Sequence, residues 1–236
     1  MTRDRLPITP EPGLTIREFD IPARDSHPIR IRSYAASPAA AEKLPLLIYL
    51  HAEEMGADLS KGFVLGGTSA GGNFTFGIAH LAAQEGLSPP LTGLLFLASS
   101  FCHPDVRPEQ YKDRIRSVDE VTDAPGLTRK SIDYFAKIYG APFDDKRLSP
   151  LLYPSHAGLA QKAAFYVCGW DPRRDEALLL DQILQEEGVD TKLFVYPGLP
   201  HGFWTTCPDL DVSKAWQRDL LEGVGFLLST LDGNQY

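Results

Sequence analysis

The chain has 236 residues, of which 43% are hydrophobic and 23% charged, the size and composition of a single globular domain, here taken as 1–236, and neither disordered nor collagen-like. It carries 23 Lys and Arg against 31 Asp and Glu, for a net charge of −8, and its basic residues sit among acids, as in Lys112-Asp113-Arg114 and Asp145-Lys146-Arg147. No basic stripe tracks phosphates, no basic leader precedes an apolar run, and no apolar run approaches the ~20 residues of a membrane span, so nucleic-acid binding and a membrane span are not expected. The three cysteines, Cys102, Cys168 and Cys207, are too few and too odd in number for a disulfide framework, and the expectation is a soluble, cytoplasmic protein.

In chain order, Ile16–Pro22 and Ile29–Tyr34 read as two short strands joined by a polar turn, a half-solvated hairpin. Leu46–Leu50, Phe63–Leu65, Leu94–Leu97, Ala164–Cys168 and Lys192–Tyr196 are different: short, nearly continuous apolar runs, the pattern of strands buried on both faces of a parallel sheet. Helical spacing lies between them. Phe74, Ile78 and Leu81 precede Gly86, Leu180, Ile183 and Leu184 precede Gly188, and Trp216, Leu220, Val224 and Phe226–Leu228 mark a closing helix with Ser213 as a candidate N-cap. Strands alternating with helices predict an α/β class with a mostly parallel sheet flanked by helices. The stretch 103–158 breaks the rhythm with six prolines and one helical segment near Ser131–Tyr139, and reads as an insertion over one end of the sheet.

Gly67-Thr68-Ser69-Ala70-Gly71 matches G-x-S-x-G between a strand and a helix. A serine on such a turn is a candidate nucleophile. The glycines permit a sharp backbone and close chain approach, and the helix N-terminus aims amides, that of Ala70 first, at developing negative charge. A serine hydroxyl needs a base and a group that orients the base. Of six histidines, His201 lies beyond the run Lys192–Tyr196, at the strand end where open parallel sheets build their sites. For the acid, Asp171 follows the run Ala164–Cys168 at the same end, with Asp175 as its rival; Asp175 also suits the first turn of the next helix. His80 and Cys102-His103 are read as structural. No phosphate loop, dinucleotide fingerprint, H-E-x-x-H or C-x-x-C is found, so neither a cofactor nor a metal is expected.

Taken together, Gly67–Asn73, Cys168–Glu176 and Tyr196–Phe203, with Leu148–Leu152 as a weaker fourth segment, resemble the hormone-sensitive lipase branch of the α/β-hydrolases. The resemblance implies an α/β-hydrolase fold and hydrolysis of small carboxylic esters, with Ser69 as nucleophile, His201 as general base and Asp171 as its orienting acid. It also implies a cap in the early part of 103–158. One departure stands out. Where the family runs from its strand into a His-Gly-Gly-Gly oxyanion loop, His51 here is followed by Ala52-Glu53-Glu54-Met55-Gly56, which implies a fold truncated by an internal deletion near Leu50-His51. Ala70 would then be the remaining oxyanion donor. A weakened or non-catalytic hydrolase-like protein, a truncated gene product and non-hydrolytic chemistry on the same fold are the alternatives; oligomeric state is not legible.

Overall fold

A computed structural model describes residues 14–22, 28–36, 46–49, 59 and 62–229. Strands β1 (Leu14–Pro22) and β2 (Pro28–Ala36) pair antiparallel with Leu14 opposite Ala36. The main sheet has five parallel strands in chain order: β3 (Leu46–Tyr49), β4 (Phe63–Thr68), β5 (Gly93–Leu97), β6 (Lys162–Trp170) and β7 (Asp190–Pro200). Helices α1 (Ala70–Gln84), α4 (Arg174–Glu186) and α6 (Asp211–Leu228) supply the flanks. The short α2 (Ser117–Glu120), α3 (Arg129–Tyr139) and α5 (Phe203–Thr206) lie in the connections.

The apolar runs of β4, β5 and β6 are continuous because both faces of the sheet are covered there, whereas in β7 Leu193 and Val195 are 38% and 44% exposed, so that run is not buried on both faces. In β5 the side chains alternate: Leu94 and Phe96 join Phe76 of α1 and Leu180 and Leu184 of α4 on one face, while Leu95 and Leu97 join Trp216 and Leu227 of α6 on the other. Phe76, Phe96 and Phe101 meet edge to face at 5.1–5.9 Å between centroids, and each fully buried ring contributes about 1.5–3 kcal/mol by leaving water. On the second face Trp204 stacks on Trp216 at 4.4 Å. Lys162, buried at the start of β6, donates from Nζ to the carbonyls of Phe226 and Ser229 and so satisfies the end of α6.

Several elements differ from the sequence reading. The stripe Phe74, Ile78 and Leu81 marks α1, yet these side chains are 39–40% exposed. The buried face is built from Gly72, Asn73, Thr75, Phe76, Gly77, Ala79 and His80, with Gly72 packed so closely on Ser99 that a Cβ there would lie 1.7 Å from its Oγ. Ser213 is no N-cap: α6 starts at Asp211 after an extended Leu210, and the Ser213 hydroxyl donates to the Cys207 carbonyl at 2.7 Å. Strand β7 continues to Pro200, paired with Trp170 beyond a register shift in which β7 carries the extra residues, so His201 follows the strand directly. Gly86 and Gly188, at φ +68° and +86°, do take the left-handed backbone that ends α1 and α4. The chain around His51–Gly56, with the deletion inferred there, lies outside the described residues. Among the described residues no helix is long and apolar enough to cross a membrane, and no group of three His, Cys, Asp or Glu side chains could hold a metal ion.

Candidate active site

Strand β4 ends at Thr68, and the chain turns into α1 through one residue, Ser69, at φ 57° and ψ −119°. A positive φ is costly for a side chain with a Cβ, and such outliers cluster where function requires them. Three features over-determine the turn. The Ser69 amide donates to the Leu97 carbonyl of β5 at 2.8 Å, and the Ser69 carbonyl accepts from Gly72 and Asn73. A Cβ on Gly67 would lie 2.3 Å from the Gly71 carbonyl, so only glycine lets the strand pass under the helix start. The Asn73 amide donates to the carbonyls of Ser100 (3.2 Å) and Leu148 (2.8 Å), fixing α1 to the chain after β5 and to the end of the insertion.

The structure brings Ser69, His201 and Asp171 together from three strand ends. Ser69 Oγ is 2.9 Å from His201 Nε2, and His201 Nδ1 is 2.7 Å from Asp171 Oδ2. Asp171 is 1% exposed, and its Oδ1 accepts the Arg173 amide at 2.8 Å, so both oxygens are held. With Nδ1–H donating to the carboxylate, Nε2 is left as the acceptor facing the hydroxyl. Ala70 occupies the first position of α1, beside Ser69.

The rival acid has another place. Asp175 Oδ2 accepts the backbone amides of Arg116 (2.9 Å) and Ser117 (2.7 Å), which caps α2 and pins the insertion to the start of α4. Sequence reasoning missed the neighbouring pair. Glu176, 1% exposed, accepts the amides of Phe101 and Cys102 on Oε2 (2.7 and 2.9 Å) and the Arg173 guanidinium on Oε1 (2.6 Å). The i, i+3 spacing of Arg173 and Glu176 was a visible signal for the ion pair. Nothing local announced the amides it serves.

In front of Ser69 lies a cavity of about 460 Å³, walled by Phe74 of α1, Leu127 and Leu148, and by Ile132, Phe135 and Tyr139 of α3. Its walls are mostly apolar. Helix α3 is set by a capping box between Thr128 and Ser131 and ends at Gly140, φ +72°. The remaining histidines sit elsewhere. His80 Nε2 and His156 Nδ1 pair at 3.0 Å inside the core, with His80 stacked on Tyr153. Burial, then the nearby His156 and Lys146, pull His80 down to about 3, and burial also lowers His156. Burial raises the thiols of Cys102 and Cys168, the latter to about 12, so neither is a ready thiolate.

Comparisons with known proteins agree with this architecture. Residues 33–205 match the family described as the alpha/beta hydrolase fold. An α/β-hydrolase superfamily protein of Schizosaccharomyces pombe is 38% identical over 177 residues, covering 75% of this chain and 52% of that one. A versiconal hemiacetal acetate esterase of Dothistroma septosporum is 32% identical over 210 residues, covering 85% and 63%. The chain thus spans between about half and two thirds of the length of these curated relatives. Among solved structures, a vibralactone cyclase superposes with a TM-score of 0.83 at 29% identity, covering 93% of this chain and 82% of that one. The chain belongs to the α/β-hydrolase fold family, in its hormone-sensitive lipase-like branch.

Proposed function

We propose that the protein is a serine hydrolase of small carboxylic esters, with Ser69, His201 and Asp171 as its catalytic residues. The observation that carries the reading is the unbroken hydrogen-bond chain from Asp171 Oδ2 through the His201 ring to Ser69 Oγ, on a strained turn that opens into an apolar cavity. The esterase names of relatives such as the Dothistroma protein support the ester as substrate class.

Ser69 Oγ attacks the ester carbonyl as His201 Nε2 takes its proton, and Asp171 stabilises the resulting imidazolium. The negative charge that develops on the carbonyl oxygen falls at the N-terminus of α1, where the Ala70 amide donates to it. His201 returns the proton to the departing alcohol. Water, deprotonated by the same imidazole, then attacks the acyl-enzyme and releases the acid. The insertion 103–158, through α3, acts as a cap on the cavity that holds the acyl chain.

A fluorophosphonate probe read by intact mass, with a p-nitrophenyl ester panel, tests the assignment. The expected result is one covalent adduct on Ser69 and ester turnover that falls by about 10⁴-fold or more in Ser69→Ala. A folded protein that forms no adduct overturns it.

A further inference from the structure

The cavity before Ser69 is mostly apolar, and beside Ser69 itself its polar lining is made of Asn73, Ser100, His103 and Arg173. The His103 ring is buried and lies flat on Phe143, with centroids 3.6 Å apart. Its Nδ1 accepts the Asp105 amide at 3.2 Å. Burial above all, partly offset by Asp105 and reinforced by the charge of Arg173, holds His103 below the usual histidine range. The neutral ring that accepts at Nδ1 carries its proton on Nε2. That Nε2–H is buried with no hydrogen-bond partner among the described residues.

Arg173, also buried, contributes a second donor set. Its Nη1 is committed to the Cys102 carbonyl (2.9 Å) and to Glu176 (2.6 Å). Its Nε and Nη2 make no hydrogen bond among the described residues, while the side chain forms part of the cavity wall. Unused donors in an apolar enclosure cost free energy unless something accepts from them. A buried donor such as His103 Nε2–H is rarely left unmet in a native interior.

We propose that His103 Nε2–H and the free N–H groups of Arg173 form an acceptor-reading pole of the cavity, which selects esters whose enclosed chain carries a neutral oxygen such as a ketone. This rests on the ester-hydrolase reading and adds a substrate feature to it. The oxygen is neutral because the charge of Arg173 is already met by Glu176, and a substrate carboxylate would be placed beside Glu176 and Asp105. An alkyl chain fills the same volume but leaves both donors unanswered, and sites built around hydrogen-bonding groups discriminate most strongly against substrates that lack the partner.

The test compares kcat/KM for p-nitrophenyl hexanoate, its 4-oxo and 5-oxo analogues, and the mono-p-nitrophenyl ester of adipic acid. At least one oxo ester is expected to exceed hexanoate by about tenfold, with the adipate ester below both. That ratio should fall toward one in His103→Phe, which keeps the stacking on Phe143, and in Arg173→Lys, which keeps a cation beside Glu176. Equal values for the oxo and alkyl esters in the unaltered protein overturn the proposal. So does a ratio untouched in both variants, or a preference for the carboxylate. Calorimetric binding of methyl 5-oxohexanoate and methyl 4-oxohexanoate against methyl hexanoate to Ser69→Ala reads the same preference without turnover. Tighter binding of an oxo ester there, with no hydrolysis by the unaltered protein, would reject the esterase reading alone; equal binding rejects the acceptor pole.

Discussion

The Ser99 hydroxyl occupies the space that a side chain on Gly72 would need: a Cβ built there would lie 1.7 Å from Ser99 Oγ and 2.4 Å from Ser99 Cβ. Ser99 follows Ala98, itself at φ 45°, at the end of β5, so the tops of β4 and β5 interlock where the nucleophile turn begins. Gly72→Ala is expected to destabilise the protein by about 1–3 kcal/mol through overpacking and to lower ester turnover by displacing Ser69. Adding Ser99→Gly should recover part of both losses. Urea unfolding and p-nitrophenyl ester rates on the single and double variants decide it; additive losses would mean the two residues do not share the space.

Asp171 is held at both oxygens, so an isosteric amide should preserve the fold and spoil the chemistry. Asp171→Asn presents an N–H₂ group either to His201 Nδ1 or to the Arg173 amide, and the first choice favours the wrong imidazole tautomer. The expected outcome is a fall of roughly 10⁴-fold in kcat with a melting temperature changed by only a few degrees. Asp175→Asn is the contrast. It weakens the cap on α2 and should reduce stability more than it reduces the rate of bound substrate.

The His80–His156 pair makes stability depend on acid. His80 stays neutral in the fold down to about 3 against an ordinary value of 6.5, and burial also holds His156 below that value, while the unfolded chain takes up protons as pH drops through 6.5. More protons on the unfolded state means stability rises with pH: the contribution is whole above about 6.5 and is lost as pH falls toward 3, by about 1.4 kcal/mol per unit for His80 alone. Lys146, across Tyr153, adds to the repulsion of any proton, whereas Glu187, bound to the His156 amide, favours it. Denaturation midpoints at pH 7, 6, 5 and 4 should decline. A His80→Phe, His156→Leu double variant should decline less steeply, and an equal slope would assign the acid sensitivity elsewhere.

Glu176 is the buried carboxylate on which the Arg173 guanidinium and two amides converge. Removing it in Glu176→Ala leaves the cation without its counter-charge, and the expected loss is about 3–5 kcal/mol, measurable by chemical denaturation. Glu176→Gln should cost less, since its one carbonyl oxygen can still accept from the backbone.

What could be read from the residues follows from what local pattern encodes. The central strands β4, β5 and β6 were legible because burial on both faces writes an unbroken apolar run, as in Leu94–Leu97. Ser69, Asp171 and His201 could be nominated because each follows such a run at the same end of the sheet. The orientation of α1 was not legible: apolar spacing pointed to Phe74, Ile78 and Leu81, whereas on the buried face Phe76 is the one large apolar side chain among small or polar residues that set up no hydrophobic period. The task of Asp175 was equally hidden, because its partners stand 58 and 59 residues away and are backbone amides, which every residue but proline carries.

Two fastenings hold the excursion that bears α3: Asp175 grips its chain at Arg116 and Ser117, and Asn73 grips it at Leu148. Each fastening starts four residues after a member of the site, Asn73 after the serine on its own helix and Asp175 after Asp171. Any rearrangement that widens the doorway to Ser69 without breaking these ties must therefore be made within residues 118–147, and a shift of either foundation is carried straight into the frame of that doorway.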